Sequence, residues 1–475
     1  MFFDESERKA VTPVTSFFDL RGLRSSQRRR LVLCGWLIAA VAATLILFLF
    51  SYTDMEYPAY AACILLSLVM LAAECAFIFR NSGCRVTPLL IFLAAFYLAR
   101  NSQLLLILFG VRFDAHHLVR LRQHLKFAVA LTSAGNIWAG FAGVLIAAPQ
   151  KDLPGKREVT DAASPALART LTAGLILTGV VAYTGLWWSE MPKPLVPVGD
   201  LFVPFGFATA VLYAKLRRGA LAAGLLAGYF LFSALFGNLG GGIAGLLVLT
   251  VFFCCLWEVP GKRSHNAAVL LSVTLLLAVL SILLDYLNAP GLYAGRNIGE
   301  IAIHWISRSG RGCLALAAMV SVVPTSEAFL FGREYAAAVL KGIVPPELDP
   351  SGTLTKLTSD TRVWKVWDEK YLETISESIG FSADAEGYLN FGVFGFLAVF
   401  LVCLGMAFLL DRYRAYDGRH GAFARYAACV MLWAGLTVPG NDLSHLIRMF
   451  VWGVVLMGLL WSLCGRRKSP ESEKN

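Results

Sequence analysis

The chain has 475 residues, of which 57% are hydrophobic and only 16% charged, with a formal charge of +10 and a mean hydropathy of +0.63. An ordinary soluble protein carries about 25% charged residues, so this chain cannot build the charged shell of a soluble fold. Its apolar residues gather in blocks of roughly 18 to 23, the length that crosses a bilayer as a helix. That excludes a soluble enzyme and a membrane β-barrel. The excess of Lys and Arg reads as a marker of cytoplasmic loops, not as a nucleic-acid footprint.

In chain order, a polar cytoplasmic tail (1–30) ends in Arg28-Arg29-Arg30, and the first apolar run (31–50) follows at once. The run is too long for a cleavable signal peptide, and no small-residue cleavage site follows it. Further spans are expected at 57–79, 88–110, 127–148, 167–188, 196–213, 219–236, 239–257, 266–288, 391–410, 424–440 and 446–464. The expected fold is therefore an all-α polytopic membrane protein of about 12 transmembrane helices with a large helical external loop. Alternation puts both termini inside. The inner loops are then basic (Arg80/Arg85, Lys151/Lys156/Arg157, Arg412/Arg414/Arg419), and the short outer loops are neutral or acidic (Asp54/Glu56, Ser189-Glu190). This gives a nine-span bundle at 31–288, an external loop domain at 289–390, a three-span bundle at 391–464 and a cytoplasmic tail at 465–475. None of the cysteines makes a CxxC or a Cys/His metal spacing.

Two outer segments stand apart. Val111 to Lys126 is basic and can either hold diphosphates or acidic sugars or anchor to anionic lipid. The 289–390 loop is far longer than a connection needs to be, and such loops tend to carry function. Within its 299–312 part, Glu300, His304, Arg308 and Arg311 fall on one helix face. Two guanidiniums and an imidazole suit a diphosphate; the plain alternative is a solvated face at the membrane surface. The 312–331 segment is apolar and is expected to be re-entrant or to lie on the surface. Asn441, His445 and Arg448 share a face at the outer end of the last span, with snorkelling as the plain alternative. Arg100, beside Asn101 and Gln103 in the third span, needs a buried partner, and Glu74 of the second span is available.

The stretch from Ser376 to Gly392 brings acids, glycines and an asparagine to the expected mouth of the tenth span. A carboxylate where the dielectric falls suits general-base work. Equally, Asp384 or Glu386 can cap the entering helix.

Here the sequence resembles a family. Glu386-Gly-Tyr388-Leu-Asn390-Phe391-Gly392-Val-Phe-Gly395 looks like the Glu-x-Tyr-x-Asn-Phe-Gly-x-x-Gly signature of Wzy-type O-antigen and oligosaccharide repeat-unit polymerases. The segment Val323-Pro324…Phe329-Leu330-Phe331-Gly332-Arg333-Glu334-Tyr335…Val344-Pro345 is similar to the stretch upstream of it. The resemblance implies a GT-C-like glycosyltransferase of the bacterial inner (cytoplasmic) membrane, facing the periplasm. Its substrates, donor and acceptor, would be undecaprenyl-diphosphate-linked oligosaccharides in the lipid bilayer, with a separate chain-length regulator as partner and no nucleic acid. Such a reaction needs a base for the acceptor hydroxyl and cations for the leaving diphosphate. Glu386 is assigned as the base, with Asp384 as alternate. Arg308, Arg311 and Arg448 would hold the diphosphate, assisted by His304 or His445. Tyr388, Asn390, Arg333 and Tyr335 would shape the site, and Trp364 and Trp367 would stack on sugars. Neither cofactor nor metal is expected, since the arginines can do a metal's work. An O-antigen ligase or other GT-C transferase is the second reading, and a flippase for the same lipid-linked glycan the third.

Overall fold

The computed structural model describes residues 25–53, 56–82, 87–110, 115–147, 165–187, 295–309, 312–325, 328–333, 382–412 and 443–464, with isolated positions between 198 and 353. Every regular element among them is helical: α1 Ser25–Ser51, α2 Glu56–Asn81, α3 Pro88–Leu108, α4 Ala115–Ala147, α5 Pro165–Trp187, α6 Ile298–Ser309, α7 Gly312–Val322, α8 Ala383–Phe391, a 3₁₀ turn Gly392–Gly395, α9 Phe396–Arg412 and α10 Leu443–Cys464. The stretches Arg29–Ser51, Tyr57–Asn81, Gln123–Ala147 and Ala383–Phe408 are long and apolar enough to cross a membrane. The chain is a helical membrane protein. The spans expected at 219–236, 239–257 and 424–440 lie outside the described residues, as do most positions of those at 196–213 and 266–288.

The sequence dictates which helix sits inside. In α4, 83% of the most apolar stretch is buried, against 22% in α1. α4 carries Ala128, Ala130, Ala134, Gly135, Ala139, Gly140, Ala142 and Gly143, and small residues let neighbouring helices approach closely. It packs against α1, α2, α7 and α9. α1 turns Ile38, Leu45 and Leu49 outward, which suits a lipid-facing helix. α3 starts where its sequence says it should: Thr87 Oγ1 accepts the Leu90 N–H at 3.4 Å, with proline at the first helical position.

At 33 residues, α4 is about 50 Å long, well beyond the ~30 Å hydrocarbon thickness. Its first turns precede the apolar stretch, so from Ala115 onward the basic 111–126 segment is a helical extension of the span and not a loop. Lys126 Nζ donates to the Thr53 carbonyl at 2.6 Å. That bond ties this part of α4 to the α1–α2 connection, which defines the upper end of the bundle.

α7 is buried almost throughout. Eleven residues span about 16 Å, half a hydrocarbon thickness. The surface-lying alternative for 312–331 is thereby excluded for this helix: residues of α7 face protein on all sides, in one apolar cluster with Leu131, Ala134, Ala385 and Leu389.

The tenth span also differs from expectation. α8 and α9 are not one straight helix. A Cβ built on Gly387 would lie 2.5 Å from the Gly395 carbonyl oxygen, and one on Gly395 would lie 2.5 Å from the Gly387 carbonyl carbon. In a continuous helix these residues would be about 12 Å apart. The chain therefore doubles back, and the reversal turns on Gly392, at φ 58°, a conformation that costs glycine nothing. α9 then runs down beside α4, with Phe396 stacked on Trp138 at 5.5 Å and Phe400 edge-on to it at 5.6 Å.

Candidate functional site

α8 rises from the middle of the bundle toward its upper end. Asp384, in its first turn, lies beside Gly135 of α4, near the middle of the Gln123–Ala147 stretch. Tyr388 packs edge-on to Phe127 at 5.9 Å, near the upper end of that stretch. α7 rises alongside in the same sense. At the start of both, Ser382 Oγ donates to the Gly312 carbonyl at 3.1 Å; at the end, Tyr388 Oη donates to the Val323 carbonyl at 3.1 Å.

The two sequence segments that carry the family resemblance meet here. The Leu330 N–H donates to the Leu389 carbonyl at 3.1 Å, and the Phe331 N–H to the Asn390 carbonyl at 2.9 Å. Phe329 lies edge-on to Tyr388 at 5.7 Å, and Tyr335 stacks on Phe391 at 5.7 Å. Asn390 Nδ2 donates to the Glu386 carbonyl at 2.9 Å. Several motif positions thus have a physical duty: Tyr388 and Asn390 close hydrogen bonds, Gly392 makes the turn, and Gly387 with Gly395 admits the return.

The helix is capped by neither acid. Ser382 Oγ accepts the Ala385 N–H at 3.2 Å and is the N-cap of α8. Asp384 is instead held by Arg100 of α3: Nε donates to Oδ2 at 3.2 Å, and Nη2 donates to Oδ1. The pair is buried, with side chains 3% and 5% exposed. Arg100 Nη1 donates to Asn136 Oδ1 at 2.6 Å, Asn136 Nδ2 to Asn101 Oδ1 at 3.0 Å, and Asn101 Nδ2 to the Tyr97 carbonyl at 2.8 Å. The guanidinium also sits 5.2 Å from the Phe96 ring centroid, and a Cβ on Gly135 would approach its Nη2 to 2.8 Å. A buried charge needs such company, because an unpaired one leaves its full desolvation cost standing. Arg100 therefore pairs with Asp384, not with Glu74. Neither Glu74 oxygen has a hydrogen-bond partner among the described residues, and the side chain is fully buried.

Glu386, in the same first turn of α8, is 1% exposed. It lies between the levels of Gly135 and Phe127 on α4, deeper than a helix mouth. Arg333 and Tyr335 lie by the upper turn, Arg333 exposed and Tyr335 half-buried. Part of the four-residue stripe falls on described residues. α6, Ile298–Ser309, carries Glu300, His304 and Arg308. Glu300 closes a capping box there, its N–H donating to Asn297 Oδ1 at 2.9 Å and its Oε2 accepting the Asn297 N–H at 3.1 Å. His304 is half-buried. His445 and Arg448 fall in the first turns of α10. The side chains of Arg308, His445 and Arg448 lie outside the described residues, as do Arg311, Trp364 and Trp367 altogether. Among the described residues, no cluster of three or more His, Cys, Asp or Glu could hold a metal.

Sequence reasoning passed over Asn136, Gly135 and Ser382. Asn136 did carry a signal, as a polar side chain inside an apolar span. Comparison with known protein families, with curated proteins and with solved structures finds no match.

Proposed function

We propose that the chain is a Wzy-type polysaccharide polymerase: about 12 transmembrane helices in a GT-C-like arrangement, in the bacterial inner membrane, with the upper end of the bundle in the periplasm. The observation that carries the reading is the Glu386–Gly395 signature with its companion segment at 323–335. Their mutual packing through backbone hydrogen bonds supports treating them as one unit. The reaction joins two lipid-linked glycans. The acceptor hydroxyl at the non-reducing end attacks the anomeric carbon of the donor. The bond from that carbon to the undecaprenyl diphosphate breaks, and the hydroxyl proton passes to the base.

Glu386 is the proposed base. Glu386 opens the signature and supplies a carboxylate for proton transfer, whereas both oxygens of Asp384 are engaged by Arg100. Arg308, Arg311 and Arg448, with His304 or His445, would stabilise the departing diphosphate. Trp364, Trp367, Tyr335 and Arg333 would contact the sugars. A separate regulator would set chain length.

The test is the surface glycan of a strain lacking the gene. A polymerase deletion leaves lipid core capped by one repeat unit. A ligase deletion leaves uncapped polymer on undecaprenyl diphosphate, and a flippase deletion stops export; either pattern would replace this reading. Complementation with Glu386→Gln at normal protein level should reproduce the deletion. Long chains from that variant would remove Glu386 from the base role.

A further inference from the structure

We infer that Arg100 is a positioning residue for the acid-bearing helix: acting through Asp384, it fixes the register of α8 and with it the Glu386 carboxylate. The inference rests on the polymerase reading for what Glu386 does, but the geometry stands apart from it. α8 has nine residues, too few to hold itself helical, and the reversal at Gly392 separates it mechanically from α9. Something must set its height and rotation in the bundle. At its upper end the Tyr388–Val323 bond and the two backbone bonds from Leu330 and Phe331 do so, but their partners belong to a non-helical connection. At its lower end the Ser382–Gly312 bond reaches only the short helix α7.

The ion pair adds a directional polar attachment to a long helix, α3, and the arginine is itself held by a second, α4, through Asn136 and the notch at Gly135. The arrangement is directional as well as strong. A guanidinium presents a rigid planar fork, so a two-pronged contact with a carboxylate fixes orientation as well as distance. Its plane is fixed in turn by the Phe96 ring and the Asn136–Asn101 relay. Glu386 lies two positions beyond Asp384 on the same helix, so a rotation or slip of α8 released by loss of the fork displaces it directly. A reacting carboxylate is sensitive to displacements of about 1 Å.

The test uses three variants of the full chain: Glu386→Gln, Arg100→Lys, and Arg100→Gln combined with Asp384→Asn. The double variant removes both buried charges together and leaves a neutral hydrogen-bonding pair. Each is assayed for membrane abundance, for the glycan ladder in the deletion strain, and for turnover against undecaprenyl-diphosphate-linked repeat unit in detergent. Arg100→Lys and the double variant should accumulate like the wild type. Their turnover should fall at least tenfold, with half-saturating donor concentration changed less than twofold. If the pair is only a structural staple, the folded double variant polymerises normally, and that result overturns the inference. Failure of both variants to accumulate overturns it too, since the pair would then serve folding. If Glu386→Gln polymerises normally while the Arg100 variants do not, the polymerase assignment of Glu386 falls and the positioning of α8 stands.

Discussion

α4 has two glycine notches little more than a turn apart, and each receives a buried acid or its partner. At Gly135, Asp384 and Arg100 meet, with each guanidinium nitrogen and both carboxylate oxygens engaged in a hydrogen bond. At Gly140, the space of a Cβ is taken by the carboxyl group of Glu74, whose oxygens have no hydrogen-bond partner among the described residues. The same helix thus hosts one acid built into a network and one merely packed. Position in an apolar span does not reveal which is which. Only the partners do, and a mutation should distinguish the two sites by its cost.

The largest effect is expected at Gly135. Replacing Asp384 by Asn, or Arg100 by Gln, strands one buried charge or a set of donors and should lower stability by about 3–5 kcal/mol. Combining the two should recover most of it, as a double-mutant cycle in detergent would measure. Next comes Gly140→Ala, where the new methyl collides with the Glu74 carboxyl; overpacking should cost about 1–3 kcal/mol, relieved by adding Glu74→Ala. Equal costs with and without Glu74 would refute that contact. Tyr388→Phe should cost about 1 kcal/mol through loss of the bond to the Val323 carbonyl. Smallest of all, Glu74→Gln breaks no hydrogen bond seen among the described residues and should shift unfolding by less than about 0.5 kcal/mol. A cost near that of Asp384→Asn would erase the contrast between the notches.

Much of the architecture was legible because bilayer thickness imposes it. Apolar runs of the right length gave α1, α2, α3 and α5 to within a few residues at most ends. The reversal at Gly392 was not legible. Residues 383–408 read as one apolar stretch, glycines are common in membrane helices, and only the contact of Gly387 with Gly395 distinguishes a hairpin from a span. The partner of Arg100 was hidden for a different reason. Asp384 is 284 positions away in sequence, and a buried arginine says that an acid is needed without saying which one. The spacing from Glu300 to Arg311 suited one helix face, and α6 carries its first three positions, while Arg311 lies outside the described residues. Asp384 and Glu386 were legible as acids of interest. Their depth was not, because it depends on α8 folding back beside α9.

The activity proposed for this bundle is polymerisation of lipid-linked glycan. Its most direct test is the purified full-length chain in vesicles supplied with undecaprenyl-diphosphate-linked repeat unit alone. A polymerase should give products longer than one repeat and release undecaprenyl diphosphate for each bond formed, and the Glu386→Gln protein should give neither. Vesicles holding correctly folded chain that return only the single repeat unit would contradict it.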